Sequence, residues 1–287
     1  KADFAEGKIK SMATGYERDV QYLSYSSNNS TYVFDLFRDA NTAAASTTAL
    51  PAPANWLTYE ASSGKDQENP IIDVQYKTAV VSNRQVYIGN VNISYGAYRE
   101  VMGDAIIKTP VNKFDTFSKN RIIEAAVRDG DEIVKLAAYA DRLLQFKKQK
   151  MTILNIAQDI EFVEDIFDHK GVKSPGAVCN TDFGVAWVNK LGCYLFDGQR
   201  VTNLLEKGGR QIIKESTWNT FAANDPMIGY IPSKRQLIVV DDCTTTGNGA
   251  IYLYDMVTQS WVNSNNAVIQ SQNLTNFIVD WNGDLTY

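Results

Sequence analysis

The 287-residue chain contains one histidine, His169, and three cysteines, Cys179, Cys193 and Cys243. A Ser-His-Asp hydrolase site needs an imidazole placed between a nucleophile and an acid, and a zinc site needs Cys and His in clusters. Neither pattern is present. His169 stands in an acidic turn, Asp165 to Gly171, where a surface or capping role suits it. The cysteines form no CxxC pair and their number is odd. Cys179 and Cys193 fall in strands read as neighbours, which leaves a bridge open beside the simpler reading of buried thiols. No GxSxG, HExxH, GxxxxGK[ST] or GxGxxG motif occurs.

Other scarcities exclude further classes. There is no excess of basic charge: 28 Lys and Arg face 33 Asp and Glu, a net charge of −5. That argues against a protein that wraps nucleic acid on a basic surface. The apolar runs are short; residues 133–144 still include Lys135, Asp141 and Arg142, so no span is long enough to cross a bilayer. Residues 1–15 carry Asp3, Glu6 and several Lys without an apolar stretch, and do not resemble a signal peptide. The sequons at Asn28, Asn29, Asn92 and Asn273 are accordingly read as ordinary turn and strand residues. With 44% hydrophobic and 21% charged residues, the chain is globular and not disordered. It begins at Lys1 and stops at Tyr287 just past a hairpin turn, which reads as the two ends of a fragment.

What is abundant is β-type sequence. Residues 1–70 contain one hairpin, 19–25 and 31–37, and then an uncharged run, 41–55, of Ala, Ser, Thr and Pro. That run reads as an exposed arm or a subunit contact. From residue 71 onward five hairpin-like segments can be written under one another: 78–88, 136–146, 184–196, 228–240 and 277–287. Each is an apolar strand, a tight polar turn and a second apolar strand. The turns are read at Ser82-Asn83, Ala140-Asp141, Asn189-Lys190, Ser233-Lys234 and Asn282-Gly283. The markers Arg84, Arg142, Gly192, Gln236 and Asp284 are spaced by 58, 50, 44 and 48 residues. A repeat of about 45–50 residues with four strands per unit predicts the blades of a β-propeller. The long first interval is read as an insertion in an outer loop over 91–119. Since Tyr287 falls inside the fifth hairpin, the propeller is expected to be partial or incompletely closed in this chain. A β-sandwich also places turns every 8–12 residues, but does not predict five similar hairpins at near-constant pitch.

Two local patterns support blades. The segment from Ala250 to Trp261 has a strand, an Asp turn, a Thr and a Trp, as at the end of a kelch-type blade; Asp255 would cap the turn and Trp261 fill the gap between sheets. The segment from Asn180 to Trp187 loosely resembles an Asp-box, with Asn180 where that box has Ser or Thr. Few helices are expected: one over residues 209–221, with Ile212, Ile213 and Trp218 as its apolar face. Residues 161–168 fit either a helical turn or a strand.

Candidate chemistry is sparse. Asp129, Asp131 and Glu132, and the pair Asp241-Asp242, are acidic groups that lack the ligand spacing of a calcium loop and read as solvated turns. A propeller glycosidase would need two convergent carboxylates; Asp182 and Asp280 are candidates that nothing in the sequence pairs. Arg84, Arg142, Arg200 and Arg235 sit mostly beside hairpin turns, which suits turn bonding. The basic cluster Lys147-Lys148-Gln149-Lys150 reads as a hairpin turn with edge lysines that discourage aggregation. The reading therefore assigns no catalytic, cofactor-binding or metal-binding residue, and expects no enzyme.

The central run carries a family resemblance. The segments 86–92, 107–117, 136–156 and 172–205 resemble a block of structural proteins from tailed-bacteriophage tails. The part from Ala186 through Trp187, Cys193 and Tyr194 to Asp197-Gly198 is the most telling. The resemblance covers roughly residues 75–210 and points to propeller-containing tail parts: the nozzle, the muzzle, and tail stabilisation or hub proteins. It implies a structural virion protein, assembled in the host cytoplasm. It implies rings of copies, commonly hexamers, stacked on portal, adaptor and other tail proteins, with DNA passing the lumen as non-specific cargo. A net-acidic subunit would let DNA slide past. The alternatives carried from the sequence are a propeller module that recognises a host glycan or receptor, and a propeller glycosidase.

Overall fold

The computed structural model describes residues 15–17, 20–27, 30–35, 73–95, 98–112, 114, 117, 121–125, 129–158, 160–223, 226–241, 250–264, 277–280 and 282–286. The arm at 41–55, Cys243, Asp242 and the sequons at Asn28, Asn29 and Asn273 lie outside them. The chain is all-β and divides into two compact units, Lys1–Val127 and Arg128–Tyr287. The expected boundary at residue 70 falls inside the first unit. No helix among the described residues is long and apolar enough to cross a membrane.

In the first unit, β1 (Gly15–Glu17), β2 (Val20–Ser27) and β3 (Ser30–Asp35) form an antiparallel sheet. The predicted hairpin is its β2–β3 half. A four-stranded meander follows: β4 (Asp73–Ser82), β5 (Gln85–Tyr95), β6 (Tyr98–Lys108) and β7 (Ile122–Ile123). The β4–β5 turn is Asn83-Arg84, one residue later than the sequence suggested; both residues have positive φ, 49° and 60°. That is the geometry of a two-residue turn that follows the strand twist. Part of the extra length in this repeat is strand: β5 and β6 have 11 residues each. Ile88, Val91, Ile93, Ala105, Ile107 and Phe117 form the buried core of this sheet.

The second unit contains three more such meanders. The first is β8 (Ile133–Tyr139), β9 (Arg142–Lys147), β10 (Lys150–Asn155) and β11 (Phe162–Asp168). The second is β12 (Val178–Thr181), β13 (Gly184–Asn189), β14 (Gly192–Phe196) and β15 (Val201–Asn203). A small hairpin, β16 (Glu206–Lys207) and β17 (Arg210–Gln211), and the helix α1 (Glu215–Phe221) come next. The third meander is β18 (Met227–Ile231), β19 (Gln236–Val240), β20 (Ile251–Asp255) and β21 (Ser260–Ser264). A last hairpin pairs β22 (Ile278–Val279) with β23 (Leu285–Thr286). In every meander the spatial order equals the chain order, and every sheet is open.

The first strands stand beside one another in chain order: β8 by β12, β12 by β18, and β18 by the β22–β23 hairpin. This explains the unbroken apolar run of β13, from Val185 to Val188. It is buried on both faces because sheets pack on both sides of it. Aromatic rings fill the seams. Trp187 on β13 meets Phe146 on β9 edge to face at 5.3 Å. Trp218 on α1 meets Trp261 on β21 at 5.6 Å, and Tyr252 on β20 at 5.7 Å.

Three expectations are corrected here. The hairpin at 184–196 is out of phase with the others: it joins second to third strand, whereas the other four join first to second. The in-phase turn is Asp182-Phe183, between Thr181 and Gly184. The helix is shorter than expected. Gly208 and Gly209 take positive φ, 58° and 76°, and turn the chain into the β16–β17 hairpin before α1 starts. Cys179 and Cys193 lie on β12 and β14, which flank β13 and so are not neighbours. Both thiols are free. Strands two apart are separated by roughly 9.5 Å, beyond disulfide reach. The ambiguous stretch 161–168 is a strand, β11.

Candidate functional site

A cleft of about 220 Å³ opens at one end of the second unit's sheets. Its walls are the β9–β10 turn (Lys148, Gln149), the β11–β12 connection, the β13–β14 turn (Lys190, Leu191), and Pro226 ahead of β18. Its apolar lining is the buried Ala177, Val188 and Pro226, with Leu191 exposed at the edge. The rim carries Lys148, Lys173, Lys190 and His169.

Asn189 builds the cleft. Its Nδ2 donates to the carbonyls of His169 and Gly171, each at 3.0 Å. Its Oδ1 accepts the N–H of Leu191 at 2.8 Å and of Gly192 at 3.1 Å, which closes the β13–β14 turn. Its own carbonyl accepts the indole N–H of Trp218 at 3.0 Å. Through its side chain Asn189 thus ties the β13–β14 turn to the β11–β12 connection, and through its backbone carbonyl it holds α1. Gly171 is needed at the contact, since a Cβ there would run into the carbonyl of Lys147. The sequence signalled Asn189 only as a turn residue; its partners lie 18 and 20 positions away.

Two charge clusters read separately in the sequence meet beside the cleft. Lys147 is completely buried and its Nζ donates to Asp129 at 2.8 Å. It is therefore not an exposed edge lysine, and it lies on an inner strand. Burial alone would raise the Asp129 carboxyl. The hydrogen bond from Lys147, the N–H of Asp131 and the charges of Lys147 and Lys150 outweigh this and hold it below its ordinary value. Asp131 accepts the N–H groups of Lys148 at 3.1 Å and Gln149 at 2.8 Å. Lys148 pairs with Glu132 at 2.8 Å. The acidic group once weighed for calcium thus serves the β9–β10 turn. Among the described residues no three His, Cys, Asp or Glu side chains are grouped for a metal.

The other candidates are dispersed. His169 is exposed and has positive φ, 63°, in the turn after β11. Asp182 accepts the hydroxyl of Tyr230 at 2.9 Å, and burial followed by this carboxylate pushes the Tyr230 phenol up to about 12. Asp280 caps the last turn, accepting the N–H of Asn282 and of Asp284 at 2.9 Å each. Arg84 and Arg235 occupy turns with positive φ. Arg142 pairs with Glu164, and Arg200 with Asp197 at 3.6 Å. Asp241 donates its backbone N–H to Ala250 at 3.4 Å. Asn92 sits within β5, its amide 3.5 Å from Gln75.

The blade-end pattern holds in detail. Asp255 accepts the N–H of Val257 and of Thr258 at 2.9 Å each. Trp261 gives its indole N–H to Leu204 of the preceding repeat at 2.8 Å. Asp197 caps the matching β14–β15 turn through Gln199 and Arg200 at 2.9 Å each. In the loose Asp-box, Thr181 performs the turn bonding that the position of Asn180 suggested was missing. Its hydroxyl accepts from Phe183 and donates to the carbonyl of Gly184.

No family model and no curated protein sequence matches the chain. Among solved structures, Hsv2p of Kluyveromyces lactis overlaps 92% of this chain and 75% of its own, at 10% identity and a TM-score of 0.37. The extracellular domain of a putative one-component system, BT4673 of B. thetaiotaomicron, overlaps 98% of this chain at 10% identity and a TM-score of 0.43; this chain spans 32% of it. The N-terminal domain of Nup159 overlaps 91% of this chain and 63% of its own, at 9% identity and a TM-score of 0.40.

Proposed function

We propose that the chain is the β-propeller part of a structural protein of a tailed-bacteriophage tail, of the nozzle, muzzle or hub-ring type, lining part of the DNA ejection channel. The observation that supports the propeller is the succession of four-stranded meanders along the chain, together with the first strands of the second unit's sheets, which stand side by side in chain order as in successive blades. On this reading each of the meanders β4–β7, β8–β11, β12–β15 and β18–β21 is a blade, and β22–β23 opens another. The tail assignment rests on the sequence resemblance, whose residues 75–210 run from β4 to the start of β17. The proposed partners are further copies in a ring, commonly six, with portal, adaptor and other tail proteins. DNA is cargo only. The site of action is the virion tail, after assembly in the host cytoplasm.

Rigid seams suit such a role. The turns are capped by Asp and Asn side chains, and the sheets are joined by ring stacks and indole hydrogen bonds, so the sheets resist sliding past one another. The test is immunogold labelling and peptide mass spectrometry of purified virions with antibodies raised against this chain. Labelling at the tail is expected; virions that lack the chain would overturn the reading. A recognition module is the second reading, and the observation in its favour is the cleft around Asn189.

A further inference from the structure

We infer that β11 of one copy of this chain pairs edge to edge with β21 of a second copy, so that one sheet continues into the other. The inference rests on the ring reading above and names one contact within it.

Each four-stranded meander ends on an outermost strand, and length separates these strands. β7 has two residues and β15 three, short enough to offer a neighbour little backbone. β11 has seven and β21 five. Among the described residues each is bonded along one side only, β11 to β10 and β21 to β20. Neither contains Lys or Pro, the residues that usually guard an open edge. Both are apolar where they meet water. Phe162 is 49% exposed and Ile166 46%, and Ile160 just before β11 is 80% exposed; on β21, Val262 is 63% exposed. Exposed apolar side chains grouped along an open edge mark a contact surface.

Charge decides which edge meets which. β11 carries three acids, and each is answered within its own sheet. Glu164 pairs with Arg142, Asp168 with Lys150 at 3.8 Å, and Asp165 accepts the N–H of Ile166 at 2.8 Å. The strand therefore asks for no cationic partner, yet two copies of β11 would still set acid against acid. β21, Ser-Trp-Val-Asn-Ser, has no charged residue and meets β11 without like charge. Its Trp261 keeps the indole on Leu204 inside the chain, so the contact uses the outer backbone and Val262. Two copies of β21 would close as a two-fold dimer and leave β11 bare. β11 on β21 joins unlike surfaces head to tail, the kind of contact that closes into a ring when its rotation allows.

The test is sedimentation velocity on the 287-residue chain over a concentration series, at low and high salt, with Val262→Glu on β21 and Ile166→Lys on β11. Both positions are exposed, and far-UV circular dichroism checks that each variant folds. One strand pair is a small contact, so weak, concentration-dependent self-association is expected for the parent chain. It should be nearly insensitive to salt, because backbone bonds and apolar side chains carry it. Each variant should raise the dissociation constant by about threefold or more. A benzophenone amino acid in place of Val262 should photo-cross-link to residues 160–168 of another copy, read by peptide mass spectrometry on a mixture of isotope-labelled and unlabelled chains. A parent chain that stays monomeric throughout overturns the contact. So do variants that associate as the parent does, association that high salt abolishes, or cross-links that fall elsewhere, on β21 itself included. Failure here with virions that contain the chain removes only this contact; virions that lack it remove the ring reading, while the cross-links still read the contact directly.

Discussion

The indole N–H of Trp261 donates to the carbonyl of Leu204 across 2.8 Å, tying the last strand of one repeat to the end of the preceding one. Trp261 also rests on Tyr254 at 4.8 Å and on Trp218 at 5.6 Å, and Trp218 in turn donates to Asn189. The seam is thus stitched by two tryptophans that donate to backbone carbonyls. Replacing Trp261 by Phe keeps a ring and strands the Leu204 carbonyl; the expected cost is about 1–3 kcal/mol. Trp218→Ala, at a fully buried site, is expected to cost about 3–5 kcal/mol. Because the rings touch, the double variant should depart from the sum of the two. Urea denaturation at constant m-value measures all three.

The pair Lys147–Asp129 is expected to be asymmetric. Asp129→Ala takes the carboxylate away from the buried Lys147 ammonium and is expected to destabilise the fold. Lys147→Met with Asp129→Asn removes both charges and should be milder. Thermal unfolding of the two proteins compares them; equal losses would mean that the ion pair is incidental.

Stability should fall in acid for a reason that can be traced. The carboxyls of Asp129, Asp197 and Asp255 are all held below their ordinary value. In Asp255 the main cause is the N–H of Thr258, while in Asp129 and Asp197 hydrogen bonds and nearby cations outweigh burial. A depressed folded-state value means that the unfolded chain binds protons first. The stabilisation is therefore complete above the unfolded carboxylate range and is lost as pH falls through the depressed values. Asp255→Asn, which keeps a side-chain acceptor for the turn, should flatten the acid limb of a stability–pH curve while leaving neutral stability less affected.

Two glycines make a steric prediction. Gly229 on β18 lies under the last hairpin, and a Cβ there would sit 2.8 Å from Phe277 and 2.9 Å from Leu285. Gly229→Ala is expected to cost about 1–3 kcal/mol by overpacking. Gly184 is worse placed. Its φ is 139° and a Cβ would strike the carbonyl of Phe196. Gly184→Ala should therefore lower the melting temperature more than Gly229→Ala does.

The thiols of Cys179 and Cys193 should be inert in the native state. Burial pushes Cys179 up to about 12 and Cys193 well above its ordinary value. Ellman's reagent at neutral pH is expected to modify neither until the chain unfolds. The raised values also mean that their contribution to stability is complete below the unfolded thiol range and fades as pH rises above it.

Much of the strand pattern was legible in the sequence because tight turns have a local chemistry. Ala140-Asp141 turns at the expected place, and Asp255 and Trp261 perform the roles their spacing suggested. The phase of the repeat was not legible at 184–196, because a tight turn looks alike whether it joins first to second or second to third strands. Asn155, Asp197 and Asp255 are the truer markers, each at or just past the end of a third strand and capping the turn that follows. The burial of Lys147 depends on Asp129, 18 positions earlier, and a run of three lysines and a glutamine reads as solvated when that partner is not in view. The cleft was not legible for the same reason: Asn189 gathers its partners from the β11–β12 connection, 18 and 20 positions earlier.

The most direct measurement is cryo-electron microscopy of isolated tails at a resolution that traces strands. The expected map shows several copies of this chain in a ring coaxial with the portal. In each copy the four-stranded sheets are arranged as successive blades. A map that places the chain off the axis as a single copy, or whose sheets stack face to face as a sandwich, would contradict both the ring and the propeller.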